Sequence, residues 1–166
     1  DCGKIYAFAS GAPAAGPAQA RAAPVRAQAA PYPEDGLSAA YARAAEEILS
    51  RSGITKGYCL VLGARRGRLA WELARRSGLN IYCIEPDGAL AAEARAALDA
   101  AGMYGTRVTV DCRPMDRIPY PDYFANLIVS DEFLIEGRIS ADPVEAFRML
   151  KPCGGILCLA RGAGAG

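Results

Sequence analysis

Five short apolar runs recur along this chain, and their spacing leaves few folds open. They read "YCLVLG", "NIYCIE", "RVTVDC", "ANLIVS" and "GGILCLA". Most are apolar at consecutive positions, the pattern of strands buried on both faces. Helical stretches separate most of them. "DGLSAAYARAAEEILSRSG" sets Leu37, Tyr41, Ala44, Ala45, Ile48 and Leu49 on one face at three-four spacing, with Gly53 as its C-cap. A second helix is expected near Arg68–Arg76, a third after Pro86 as far as Gly102, and a fourth near Asp142–Leu150. The stretch from Arg113 to Asp122 is polar and broken by prolines. Strands alternating with helices imply right-handed crossovers and a parallel sheet covered on both sides. The expected class is therefore α/β, a Rossmann-like doubly wound parallel sheet.

Composition narrows what such a sheet can do. The 166 residues suit a single core, with 52% hydrophobic and 22% charged residues. A net charge of +1 gives no electrostatic argument for nucleic acid or an anionic membrane surface. No apolar run approaches the roughly 20 residues of a membrane span. There is no histidine, which removes His-based triads, His general bases and His metal ligands. The six cysteines, Cys2, Cys59, Cys83, Cys112, Cys153 and Cys158, form no C-x-x-C pair, so no metal site is expected. Three of them lie in apolar runs and read as small buried hydrophobes of a reducing, cytoplasmic compartment.

Residues 1–9 read as a short strand, "KIYAF", behind an Asp-Cys-Gly turn. Residues 10–32 are rich in Ala, Pro and Gly and offer little large apolar surface, so they read as a linker. The globular domain is expected over 33–160, followed by a frayed tail, 161–166. The chain starts at Asp1 rather than Met and lacks the basic start and apolar stretch of a secretory signal. A processed product or an excised segment is expected.

Ligands of doubly wound sheets sit beyond the carboxyl ends of the strands. That rule gathers Gly63–Gly67, Glu85–Asp87, Arg113–Met115 and Ser130–Glu132 around one crevice. Gly63 and Gly67 permit a tight turn and close backbone approach, and the following helix aims its free N–H groups at a ligand. Glu85, about 20 residues further on at the end of the second run, suits the two hydroxyls of a ribose. The bland alternatives are a plain strand-to-helix turn and a solvated carboxylate. The loop itself reads Gly63-Ala64-Arg65-Arg66-Gly67, with two arginines where small residues are usual.

Residues 34–160 resemble a class I S-adenosylmethionine-dependent methyltransferase. The family's "hhDhGxGxGxh" loop, acidic end of strand two, "GD" after strand three, "fDlvvs" and "LKPGG" have counterparts here. They are "CLVLGARRGRL", "CIEPD", "CRPMDRIPY", "FANLIVSDEFL" and "EAFRMLKPCGGILCLA". The resemblance implies five parallel strands in the order 3-2-1-4-5, without the family's last two strands. It also implies S-adenosylmethionine bound through Gly63, Ala64, Arg65, Gly67 and Glu85, with Met115 on the adenine side and Ser130 on the methyl side. The sequence departs from the pattern at several places. Val61 stands where the family has the acid that helps hold the methionine ammonium, and Arg65 where it has the loop's middle glycine. Pro114 replaces the acid of "GD", with Asp116 two residues late. Asn126 replaces the strand-four aspartate, and Cys153 is inserted into "LKPGG".

Two functions follow. One is a methyltransferase with a small-molecule cofactor and an unread methyl acceptor. Transfer is mostly positioning of an in-line attack, so the missing histidine is no obstacle. No catalytic base is named; Asp131 and Glu132 are the nearest acids and read as polar residues of the loop after strand four. The other is a non-catalytic domain of the same fold used for ligand sensing or packing. "DCGKIYAFAS" resembles the "DGKLYAFDA" strand of pyrroloquinoline-quinone-type β-propellers, which implies a β-propeller domain of the same parent chain as a packing partner. A nicotinamide-dependent reductase fits less well, because the G-x-G-x-x-G pattern fails at Arg65 and Arg68 and no Tyr-x-x-x-Lys pair exists.

Overall fold

Cys59, Leu60, Val61 and Leu62 are buried in succession, which places their strand at the centre of the molecule. The computed structural model describes residues 30–160. Its elements are α1 (Gly36–Ser52), β1 (Lys56–Leu62), α2 (Arg68–Arg76), β2 (Gly78–Ile84), α3 (Gly88–Ala100), β3 (Val108–Asp111), β4 (Leu127–Ser130), α4 (Asp131–Glu136), α5 (Pro143–Met149) and β5 (Ile156–Cys158). The five strands form one parallel sheet in the order β3-β2-β1-β4-β5. This is the expected α/β, Rossmann-like architecture. The expected strand at residues 1–9, the arm up to residue 29 and the tail at 161–166 lie outside the described residues.

Register explains the two cores. Val61 lies beside Cys83 of β2 and Val129 of β4, and Leu62 beside Ile84 and Ser130. Successive side chains of a strand point to opposite faces. Cys59, Val61, Cys83 and Val129 therefore join one cluster, sealed by Ile48 of α1, Leu69 and Leu73 of α2 and Leu98 of α3. Leu60, Leu62, Ile84 and Ile128 join the other, sealed by Met115, Ile118 and Met149. Each of these large side chains contributes about 1.5–3 kcal/mol on burial.

The helix ends follow side-chain chemistry. Asp35 caps α1 by accepting from the Ser38 amide at 2.7 Å. Asp87 caps α3 through the amides of Ala89 and Leu90. Asp142 caps α5, whose Pro143 occupies a first-turn position that needs no N–H donor.

Three expectations need correction. The residues after β4 are not a polar loop: the Ser130 hydroxyl accepts from the Phe133 amide at 3.0 Å and starts α4, and Asp131 and Glu132 are buried. Leu37, assigned to the buried face of α1, is 44% exposed because it sits in the helix's first turn, short of the run Tyr41–Leu49 that meets the core. Tyr32, at the end of the Ala/Pro-rich stretch, packs on α2. Its ring meets Trp71 edge-on at 5.8 Å and carries the Arg68 guanidinium at 5.1 Å, and its hydroxyl donates to the Arg66 carbonyl at 2.6 Å. Cys59 and Cys83 are fully buried free thiols, and burial pushes both well above the usual range.

Candidate functional site

The loop from β1 to α2 turns on three residues with left-handed backbone: Gly63 (φ 59°), Arg65 (φ 50°) and Gly67 (φ 78°). Arg65 is not glycine, so its conformation carries strain that its surroundings must hold. The restraint is visible. The Ala64 amide donates to the Ile84 carbonyl at 3.1 Å and the Gly67 amide to the Ala64 carbonyl at 2.8 Å. The Arg65 amide donates to Glu85 Oε2 at 2.5 Å, while Glu85 Oε1 accepts from the Asp87 amide at 3.0 Å. Glu85 is 4% exposed, so it is no solvated strand end. It braces the glycine loop against the β2–α3 turn, and each oxygen keeps a second acceptor site for a ligand.

Both glycines also have packing reasons to be glycine. A Cβ at Gly63 would come 2.8 Å from the Glu132 Cβ. One at Gly67 would meet Ala94, Leu98 and the Tyr32 hydroxyl at 3.2–3.3 Å. The loop is thereby pressed between α4 on one side and α3 on the other.

The structure brings Gly63, Arg65, Glu85 and Met115 to one cavity of about 90 Å³, completed by Leu90, Glu132 and Ser140 among others. Ala64 is wholly buried and takes part through its backbone. Gly67 opens α2 and faces α3. Ser130 is 3% exposed, spends its hydroxyl on the α4 cap and is not part of the cavity wall. A second cavity of about 120 Å³ is lined by Tyr41, Arg65, Arg66, Arg68, Leu90 and Ile135 among others. Arg65 and Leu90 belong to both, so they form the partition. Either space alone is below the roughly 300 Å³ of a small-molecule site. A wider concavity, about 800 Å³, lies at the amino ends of β4 and β5, between Tyr123, Phe147 and Pro152. That is the wrong edge of the sheet for a ligand of this fold.

The electrostatics of the crevice are set by acids. The Arg65 guanidinium pairs with Glu136, so it is not a solvated loop-tip charge. Arg66 turns to Glu93 of α3 at 2.5 Å. Glu132 accepts from the Ser140 amide at 2.9 Å and hydroxyl at 2.6 Å, and Arg138 lies 3.3 Å from it. Asp131 has no exposed surface. Its Oδ1 accepts from the Tyr41 hydroxyl at 2.6 Å, and its Oδ2 has no hydrogen-bond partner among the described residues. Burial first, and then the negative charge of Glu85, push its carboxyl up to about 7, against the opposing pull of Tyr41, Arg65 and the Leu69 backbone amide. Sequence reasoning assigned neither Tyr41 nor Ser140 to the site and left Asp131 and Glu132 on a loop. Among the described residues no group of three His, Cys, Asp or Glu is placed to hold a metal ion, and no helix is long and apolar enough to cross a membrane.

No family model matches the chain, and no curated protein matches it. Solved structures do. A candidate S-adenosyl-L-methionine-dependent methyltransferase from Methanococcus maripaludis superposes with a TM-score of 0.66 at 29% identity, over 76% of this chain and 57% of that one. A candidate sarcosine dimethylglycine methyltransferase from Galdieria sulphuraria gives 0.59 at 26% identity, over 71% and 45%. A SAM-dependent methyltransferase from Aquifex aeolicus gives 0.55 at 21% identity, over 65% and 58%, a likeness of fold alone. The chain thus spans about half the length of these structures. Its fold is the Rossmann-like fold of S-adenosylmethionine-dependent methyltransferases.

Proposed function

We propose that the crevice between the Gly63–Gly67 loop, Glu85 and α4 binds S-adenosylmethionine, and that the chain is the cofactor-binding part of a methyltransferase. The observation that carries this reading is the Glu85 bridge. A buried carboxylate at the carboxyl end of β2 holds the glycine loop of β1 and still has lone pairs for two adjacent hydroxyls. The residues fit the ligand's charge as well. Gly67 brings no capping side chain to the first turn of α2, whose Leu69 amide faces Asp131 and whose other amides can meet a carboxylate.

In this reading Glu85 takes the ribose, Met115 lies against the adenine, and Gly63, Ala64 and Gly67 let the backbone approach the methionine end. The bound cofactor supplies an electrophilic methyl group on a sulfonium centre. The chain's own part is to orient that centre and to exclude water from it; the methyl acceptor is left unassigned. The partition made by Arg65 and Leu90 favours a second reading, a domain that keeps the fold while its crevice stays shut.

Titration calorimetry with S-adenosylmethionine and S-adenosylhomocysteine separates the two. The expected outcome is binding of both, weaker than about 10 μM, which corresponds to roughly 7 kcal/mol. No heat from either at millimolar ligand would leave only the shut domain.

A further inference from the structure

Far from the crevice, β5 forms an edge of the sheet and pairs, among the described residues, with β4 alone. The Ile156 amide donates to the Asn126 carbonyl at 2.9 Å, so the alternation of a strand ladder turns the N–H and C=O of Leu157 outward. Natural proteins blunt such edges with charges, prolines or bulges. Residues 156–160, Ile-Leu-Cys-Leu-Ala, contain neither a charge nor a proline. Leu157 and Leu159 are 40% and 41% exposed.

The two faces beside this edge differ. Leu157 lies beside Ile128 and shares its face, where α5 packs and leaves Val144 and Phe147 exposed. The wide concavity lined by these two residues and Gly155 runs from α5 to the start of β5. Cys158 lies beside Val129 and faces α1. There Glu47 and Arg51 stand one helical turn apart, paired with each other at 2.8 Å and largely exposed. Both charges act on the Cys158 thiol, so the strand passes α1 at the level of this pair.

We propose that β5 pairs antiparallel with β5 of a second copy of this chain, about a twofold axis through Leu157, so that the two sheets become one. Symmetry and charge select this occupant. In an antiparallel ladder a residue on the axis faces its own copy and exchanges both hydrogen bonds with it, which satisfies the outward N–H and C=O of Leu157. The side chains of Leu157 and Leu159 from both copies then cover one another on the α5 face. On the other face, α1 runs opposite to the strands, because only residues 53–55 separate its end from the start of β1. The axis therefore sets the two α1 helices in opposite directions, with Glu47 of each copy toward Arg51 of the other. An alternating acid and base one turn apart, at the level of the axis, make this patch complementary to itself.

Sedimentation equilibrium of the 166-residue chain tests the pairing, in reductant so that the exposed Cys112 and Cys153 form no crosslink. The expected result is a dimer that dissociates on dilution, with a dissociation constant below about 1 mM. Leu159→Lys is expected to weaken it at least tenfold. Arg51→Glu, which turns two attractive contacts across the axis into repulsive ones, is expected to weaken it by about tenfold. The swap of Glu47→Arg together with Arg51→Glu is expected to restore it, and thermal melts verify that each variant folds. A chain that is monomeric at about 1 mM would overturn the proposal. So would a dimer that Leu159→Lys or Arg51→Glu leaves intact, or that the swap fails to restore, since another face would then hold it together.

Discussion

The backbone amide of Arg65 donates to the carboxylate of Glu85 at 2.5 Å, across twenty positions of sequence. The contact couples the turn that begins α2 to the end of β2, and it holds a non-glycine residue in the left-handed region. Glu85 therefore acts on stability and on binding at once. Replacing it with alanine leaves the Arg65 and Asp87 amides without their acceptor, at about 1–3 kcal/mol each when buried. Glu85→Ala should lower the urea midpoint clearly and weaken any ribose-bearing ligand by at least several-fold. An unchanged midpoint would show that water replaces the carboxylate at no cost, and the brace would lose its meaning.

Gly63 gives a second test of the same loop. Alanine there would be held at φ 59° with its Cβ 2.8 Å from that of Glu132. Backbone strain of this kind costs about 1–3 kcal/mol, and the clash pushes α4 away from β1. Gly63→Ala should destabilise the chain in denaturant titration by that order. A neutral result would mean that α4 is loosely seated and that Glu132 yields.

The amino-terminal boundary can be placed by melting. Tyr32 makes an edge-to-face contact with Trp71, a stacked contact with Arg68 and a hydrogen bond to Arg66. Those contacts are together worth on the order of 2–3 kcal/mol. Deleting residues 1–29 should leave the midpoint within a few degrees, whereas Tyr32→Ala should lower it by about 5–10 °C, since 1 kcal/mol shifts a domain of this size by a few degrees. If the deletion costs as much as the point change, residues before Ala30 also pack on the core.

Asp131 makes stability depend on pH in the sense opposite to most carboxylates. Its folded carboxyl is raised from the ordinary value near 3.8 to about 7, by burial above all. The stabilisation from keeping the proton is therefore complete below about pH 4 and is lost as pH rises through 7. Facing it are Tyr41, Arg65, Glu85 and the Leu69 amide. Asp35, Glu136 and Glu145 are lowered instead, so their contributions fade on the acid side. A comparison with Asp131→Asn cancels those. The variant should gain stability relative to the unaltered chain by at least about 1 kcal/mol between pH 4 and pH 8, read from urea midpoints. Parallel curves would show that Asp131 titrates normally.

The strands were legible because Leu60 to Leu62 and Leu127 to Val129 are apolar at every position, and their order followed from the resemblance to the methyltransferase family. So was the crevice, since its walls come from strand ends. What escaped notice depended on side chains meeting across distance. Nothing local says that Tyr41, on the apolar face of α1, sends its hydroxyl to Asp131. "SDEFLIEG" is too short for helical periodicity to stand out. Its signals are Ser130 as a capping residue and Gly137 as a left-handed stop (φ 70°), and they count only once the helix is suspected. The ion pair of Arg65 left no local signal, because Glu136, its partner, lies 71 positions away.

The central claim is that this crevice is an S-adenosylmethionine site narrowed by one side chain. Arg65→Gly tests it most directly, since glycine relieves the φ of 50° and removes the Arg65 part of the partition between the two cavities. Titration calorimetry of S-adenosylmethionine into the unaltered chain and into Arg65→Gly should show weak binding tightened at least tenfold, about 1.4 kcal/mol. Equal or weaker binding by the variant, with its melting midpoint preserved, would contradict the account and make Arg65 a contact of the ligand rather than its obstacle.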